Sequence, residues 1–141
     1  METKRGNSSP YNSELGDPNQ AARFDNGKPR IELVPTEIIE EMAKVFTYGA
    51  QKYDDWNWSK GFPWLQPYAS MMRHLMAWHE GEDVDPESGL HHLSHAACNM
   101  AMLLHYIKHG IGEDSRLVRV RERAAYRLQA QAELDAGGEK L

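Results

Sequence analysis

The chain has 141 residues, a formal net charge of −5 at neutral pH and a pI near 5.8. That length fits one domain with a modest core, so a dimer or tetramer that covers further apolar surface is expected. The acidic balance argues against a general nucleic-acid binder, which carries a basic patch. It leaves room for a nucleotide-binding enzyme, because a metal ion can neutralise the phosphates. A single cysteine, Cys98, excludes an intramolecular disulfide and points to a reducing cytoplasm. No apolar run approaches the roughly 20 residues that span a bilayer, and the N-terminal stretch METKRGNSSPYNSELG has no apolar segment of the secretory type.

Residues 1–24 are rich in Asn, Ser, Gly and Pro and read as a flexible N-terminal arm. The turn-forming Asp25-Asn26-Gly27 follows, and Pro29 and Pro35 disfavour helix between them. A first helix is predicted from about Thr36 to Tyr48 or Tyr53, with Ile38, Met42, Val45 and Phe46 at helical spacing. The loop DDWNWSKGFPW carries three tryptophans, of which Trp64 and Trp56 read as plugs of the bundle end. A second helix is predicted over about Leu65–Gly81 and is broken by the acidic stretch EDVDPESG. A third starts at Ser88 or Gly89 and runs to about His109, with Gly110 as its stop. The last, about Asp114–Leu134, is charged on most faces and suits an oligomer contact. The fold class is therefore all-α, a bundle of about four helices. Residues 25–110 are expected to form the catalytic helical core, and 111–141 the C-terminal helix and tail.

The chemistry concentrates in WHEGEDVDPESGLHHLSHAACN, residues 78–99. His92 and His95 are three apart and share one helical face, with Asn99 a turn beyond. Glu82 and Asp85 sit in the connecting turn, and an antiparallel hairpin brings His74 opposite. Two imidazoles among small apolar residues are hard to explain as packing alone. Oxygen ligands favour Mg²⁺ or Mn²⁺, and imidazole shifts the preference toward Mn²⁺, Co²⁺ or Zn²⁺. Glu80, Asp83 and Glu87 read as solvated charge, and His91 as structural. His105 and His109 suit the negative end of the third helix.

Lys52, Tyr53, Asn57 and Trp58 supply a cation, a phenol, an amide and an indole within seven residues. A nucleotide needs such groups for phosphate, base stacking and base edges. Lys28 and Arg30 alternate around Pro29 and could clamp a phosphate or remain solvated. Arg73, in mid-helix beside His74, needs an anionic partner, either a substrate phosphate or a carboxylate such as Glu37 or Glu41. Cys98 lies among Ala96, Ala97 and Met100 and reads as a small core residue. The chain has no Walker motif, no GxGxxG and no HExxH. It also has no His-Asp dipeptide, which disfavours a phosphohydrolase of the HD type.

The string GKPRIELVP, then VFTYGAQKYDDWNW, then RHLMAWHEGEDVDPESGLHHLSHAACNMAMLL resembles the dATP/dGTP diphosphohydrolase family of MazG-like enzymes, common in phages. It is similar to the MazZ members that accompany 2-aminoadenine genomes. The resemblance covers residues 25 to about 107. It implies an all-α nucleoside triphosphate pyrophosphohydrolase, usually a dimer or tetramer. The implied reaction converts a purine dNTP (dGTP, dATP or both) and water to dNMP and pyrophosphate, with Mg²⁺ or Mn²⁺, in nucleotide-pool metabolism. Glu82, Asp85, His92 and His95 would then hold metal, with Glu82 or Asp85 acting on the water. Lys28, Arg30, Lys52, Tyr53, Asn57, Trp58, Arg73, His74 and Asn99 would serve the nucleotide. The broader superfamily places E-x-x-D where this chain has His92-x-x-His95. The alternative expectation is a helical protein that binds a nucleotide or a partner without turning it over. Neither reading includes nucleic acid or a membrane as a partner.

Overall fold

The computed structural model describes residues 27–137. The N-terminal arm expected over residues 1–24 lies outside the described residues, as does 138–141 of the expected tail. The chain divides into two compact units, Met1–Pro35 and Thr36–Leu141. The described part of the first is an extended entry and a single 3₁₀ turn, Ile31–Leu33, closed by Val34 N–H on the Ile31 carbonyl at 3.0 Å.

The second unit is all-α, with no strand among the described residues. Its helices are α1 (Thr36–Lys52), α2 (Leu65–His79), α3 (His92–His109) and α4 (Leu117–Gly137), in the predicted order. Both α1 and α2 pack on α3, which is the central element. The helical spacing of α1 turns Val45 into the core, with Met42 and Phe46 half-buried beside it. Pro67 is buried in the first turn of α2, where a missing N–H costs nothing.

Two observations explain where helices begin. The third helix was expected to open at Ser88 or Gly89, yet residues 84–91 fold into a closed loop. An isolated bridge joins Val84 to His91, and Asp85 N–H donates to the Leu90 carbonyl at 2.9 Å. The helix starts only at His92, capped by the His91 ring, which accepts the Leu93 N–H at 3.1 Å. The Asp114 carboxylate accepts from the Arg116 guanidinium at 2.7 and 2.8 Å, and α4 opens after that turn.

The buried apolar core is small: Val45, Ala96, Cys98 and Tyr106. Helix α4 buries no residue, so the shared core belongs to α1, α2 and α3. Among the described residues, no helix is long and apolar enough to cross a membrane.

One backbone crossing holds the far end together. Trp64 N–H donates to the Glu113 carbonyl at 2.9 Å, and the Trp64 indole N–H to the Ile111 carbonyl at 2.9 Å. Leu65 N–H donates to Ser115 Oγ at 3.0 Å. These bonds satisfy donors at the start of α2 and confirm Trp64 as a plug. The crossing is so tight that a Cβ on Gly112, at φ 74°, would stand 2.3 Å from the Phe62 carbonyl oxygen. Gly112→Ala is therefore expected to cost about 2 kcal/mol or more, from the left-handed backbone and the collision together. The drop in urea midpoint measures it.

Candidate functional site

The polar residues of the core sit together on the first turns of α3. His92, Ser94, His95 and Asn99 are all buried. Among the described residues, no buried side-chain nitrogen or oxygen lacks a hydrogen-bond partner. Burying an imidazole is tolerable only under that condition.

His92 Nε2 stands 2.8 Å from Glu82 Oε1, and its Nδ1 stands 2.8 Å from His74 Nδ1. A carboxylate only accepts, so His92 Nε2 carries a proton and donates it to Glu82, while the two Nδ1 atoms share one hydrogen between His74 and His92. On the other side, Ser88 Oγ donates to Asp85 Oδ2 at 2.7 Å. Ser88 Oγ must then accept the His95 Nε2–H, at 2.7 Å. His95 and Asp85 themselves are 3.6 Å apart, so the serine is the working link between them. The His74 ring joins the halves: it stacks on His95 at 4.3 Å and 8° and tilts on His92 at 5.1 Å.

These contacts set the charges. Burial pushes His95 below the ordinary imidazole range, against an opposing pull from Asp85. Burial also lowers His74, helped by the neighbouring His95 and His92. For Asp85, burial pushes upward but is outweighed by hydrogen bonds from the Ser88 side chain and the Ser88 and Glu87 backbone, which hold it below 3.8. At neutral pH the Asp85 carboxylate therefore faces the neutral rings of His74 and His95.

A cleft of about 1050 Å³ opens over this cluster. Its wall carries Lys52, Tyr53, Asn57 and Trp58 at one part, and Arg73, His74, Asp85, Glu87, His92 and His95 at another. Nine of the predicted residues thus share one cavity. Arg73 is exposed on that wall and pairs with no described carboxylate. Glu41, one of its expected partners, instead takes Lys44 and the Ser94 hydroxyl, the latter at 2.6 Å. Lys52 is held by Glu87 at 3.1 Å, which raises its pKa.

Other expected residues have partners of their own. Asn99 does not reach the cleft wall: its amide is spent on the His95 carbonyl at 2.9 Å and on Ser70 Oγ at 3.3 Å. Glu82 acts through His92 and is not on the wall. Lys28 and Arg30 belong to the first compact unit, where Arg30 pairs with Glu32 at 2.6 Å. Cys98 is buried and its thiol is pushed up to about 12, as befits a core residue.

The four expected metal ligands form two separate pairs, Glu82 with His92 and Asp85 with His95, each engaged in internal hydrogen bonds. Among the described residues, no group of three or more His, Cys, Asp or Glu side chains is placed to hold a metal ion. As folded, this donor set does not fit a resident cation. Sequence reasoning missed Ser88, the link of the Asp85–His95 pair. Its signal was local: Asp85-Pro86-Glu87-Ser88 is a turn in which an aspartate accepts N–H groups two and three residues on, at 3.4 and 3.2 Å.

The described residues define an all-α protein with cationic, carboxylate and aromatic groups around a cleft of about 1050 Å³. A family model described as "dATP/dGTP diphosphohydrolase, N-terminal" matches residues 18–116. The chain belongs to that family. A curated protein of Salmonella phage PMBT28, named dATP/dGTP diphosphohydrolase, is 32% identical over 94 residues, which is 67% of this chain. The match takes in 32% of that relative's own length. No solved structure gives a significant match.

The depressed imidazoles predict a pH dependence. Between the folded pKa values of His74 and His95 and the unfolded value of 6.5, the unfolded chain binds more protons. Stability is therefore greatest above about pH 6.5 and falls as the solution is acidified. Asp85 adds a second loss below its unfolded value of 3.8. Urea midpoints measured from pH 8 down to about pH 2.5 should show this slope, and His95→Gln should flatten its upper part.

Proposed function

We propose that this chain hydrolyses purine deoxynucleoside triphosphates, dGTP, dATP or both, to dNMP and pyrophosphate. Family membership supports the reaction class, and the cleft supports the substrate. The observation that carries it is Arg73: an exposed guanidinium, without a described carboxylate partner, on the same wall as Asp85 and His95. Such a cation is suited to a phosphate.

In this reading Asp85 orients the attacking water and takes its proton, kept ionised by Ser88 and the neighbouring backbone. The water oxygen bonds to the α-phosphorus, and the bond from that phosphorus to the bridging oxygen breaks. Pyrophosphate leaves with the bonding electrons, and Arg73 and Lys52 stabilise its charge. Neutral His74 and His95 add no competing positive charge. They shape the wall and hold Ser88 in place. Since the folded donors do not form a cage, Mg²⁺ or Mn²⁺ is proposed to enter as the counter-ion of the nucleotide, as part of the substrate. The proposed setting is nucleotide-pool metabolism in the cytoplasm, that of a host cell if the chain is phage-encoded.

Each of the four dNTPs, supplied with Mg²⁺ or Mn²⁺, should be resolved chromatographically into products. The expected pair is dNMP and pyrophosphate, from purines above pyrimidines. Asp85→Asn should lower kcat by about 100-fold or more, and Arg73→Ala should lower kcat/KM by roughly 100-fold. Orthophosphate or intact triphosphate as the released product would contradict attack at the α-phosphorus. Tight binding with no turnover in either metal would make the chain a nucleotide-binding module instead.

A homo-oligomer, dimer or tetramer, is part of the same proposal. On α3, Leu93, Met100, Leu104 and Ile107 lie on one stripe and are exposed by 38%, 51%, 63% and 57%. A core as small as this one leaves much to gain by covering that stripe with a second copy. Sedimentation of the full chain should give a species larger than 16.1 kDa, and Leu104→Glu should shift it toward monomer.

A further inference from the structure

We propose that the indole of Trp56 is the platform on which the base of the bound nucleotide stacks. This rests on the nucleotide reading above and names the surface that recognises the base. From sequence, Trp58 was the natural candidate and Trp56 a plug. On this proposal the two roles are exchanged.

Trp58 is already enclosed. Phe46 tilts on it at 5.2 Å, His105 meets it edge-on at 5.0 Å, and its carbonyl accepts the Tyr106 hydroxyl at 2.6 Å. Trp64 is pinned through its indole N–H, with the Arg116 guanidinium 5.5 Å above its ring. Trp78 is not on the cleft wall. Trp56 is on it, beside Lys52, Tyr53 and Asn57, and is 71% exposed. One tilted contact with Trp58, at 6.1 Å, steadies it.

The backbone makes the same point independently. Trp56 has φ 61° and ψ 13°, and no other non-glycine among the described residues has a positive φ. It occupies the third position of a turn closed by Asn57 N–H on the Asp54 carbonyl at 3.2 Å, a place where glycine is the unstrained choice. A bulky residue there is a conformational outlier. Trp56 thus carries backbone strain and leaves an indole in water, and folding recovers neither. A residue that costs stability twice on a cleft wall is accounted for by what it binds. An open indole face beside a cation suits a flat ring joined to phosphates. A purine, with two fused rings, covers more of it than a pyrimidine does. Stacking of this kind is worth about tenfold to a hundredfold in affinity.

The test is calorimetry with the α,β-methylene analogue of dGTP, which cannot be cleaved at the proposed bond, and with inorganic triphosphate, which has no base. Trp56→Gly removes the ring and relieves the strain together. It is expected to melt at or above the wild-type temperature, to bind the analogue about tenfold to a hundredfold more weakly, and to bind inorganic triphosphate unchanged. Trp56→Phe should stay within a few-fold of wild type. An analogue affinity unchanged in Trp56→Gly would overturn the platform while leaving the hydrolase reading intact. Equal losses for both ligands would overturn it too, by showing that the ring merely shapes the cleft. Conversely, Trp56-dependent binding of the analogue by a chain that turns over no dNTP would uphold the platform and remove the hydrolase.

Discussion

The buried imidazoles of His92 and His95 are the constraint that organises the rest. Helix α3 turns both inward, and the two ring nitrogens of His92 and Nε2 of His95 find their partners within the protein. No single element can supply those partners. Glu82 and the Asp85–Ser88 turn come from the loop, His74 comes from α2, and the rings stack among themselves. The loop is therefore fixed by the same bonds that make burial possible. Its backbone closure, Asp85 to Leu90 and Val84 to His91, presents Asp85 and Ser88 to His95. The polar cluster is as much the core of the molecule as Val45 and Tyr106 are.

The opposite end of the cleft obeys a different rule. There the chain packs aromatic rings and crosses its own backbone where only glycine fits. Tyr106, fully buried, donates its hydroxyl to the Trp58 carbonyl and so anchors the aromatic loop on α3. Gly61 and Gly112 let the start of α2 approach the α3–α4 connection. Because α3 runs from the imidazole cluster to Tyr106, one rigid helix joins both ends of the cavity.

What could be read from the sequence follows from which interactions are local. Helices α1, α2 and α3 announce themselves by apolar residues at helical spacing, and Gly110 marks a stop. The convergence of His74, His92, His95, Asp85 and Glu82 was legible because a short acidic loop between two helices makes a hairpin. The start of α3 was not, since residues 84–91 satisfy their backbone within the loop, and periodicity does not register such bonds. Trp56 and Trp58 could not be told apart for a similar reason. Both are tryptophans in one loop, and the positive φ at Trp56 leaves no mark in the sequence pattern. Asn99 lies on the predicted helical face, one turn past His95. Even so, its amide bonds back to the helix it stands on. A face assignment specifies direction, not whether a side chain arrives with donors to spare.

The phosphates proposed for this cleft must be met by side chains, and the geometry of α3 explains why. A helix N-terminus is a ready anion site when its first N–H groups are free. Here they are not: His92 N–H donates to the Asp83 carbonyl at 2.8 Å, Leu93 N–H to the His91 ring, and Ser94 N–H to the His91 carbonyl at 3.0 Å. Recognition therefore falls to Arg73 and Lys52. Of the two, Lys52 already holds Glu87, an exposed pair of small intrinsic worth. An incoming phosphate has to displace that carboxylate, whereas Arg73 has no such competitor among the described residues. The guanidinium is thus the stronger first contact for a polyanion.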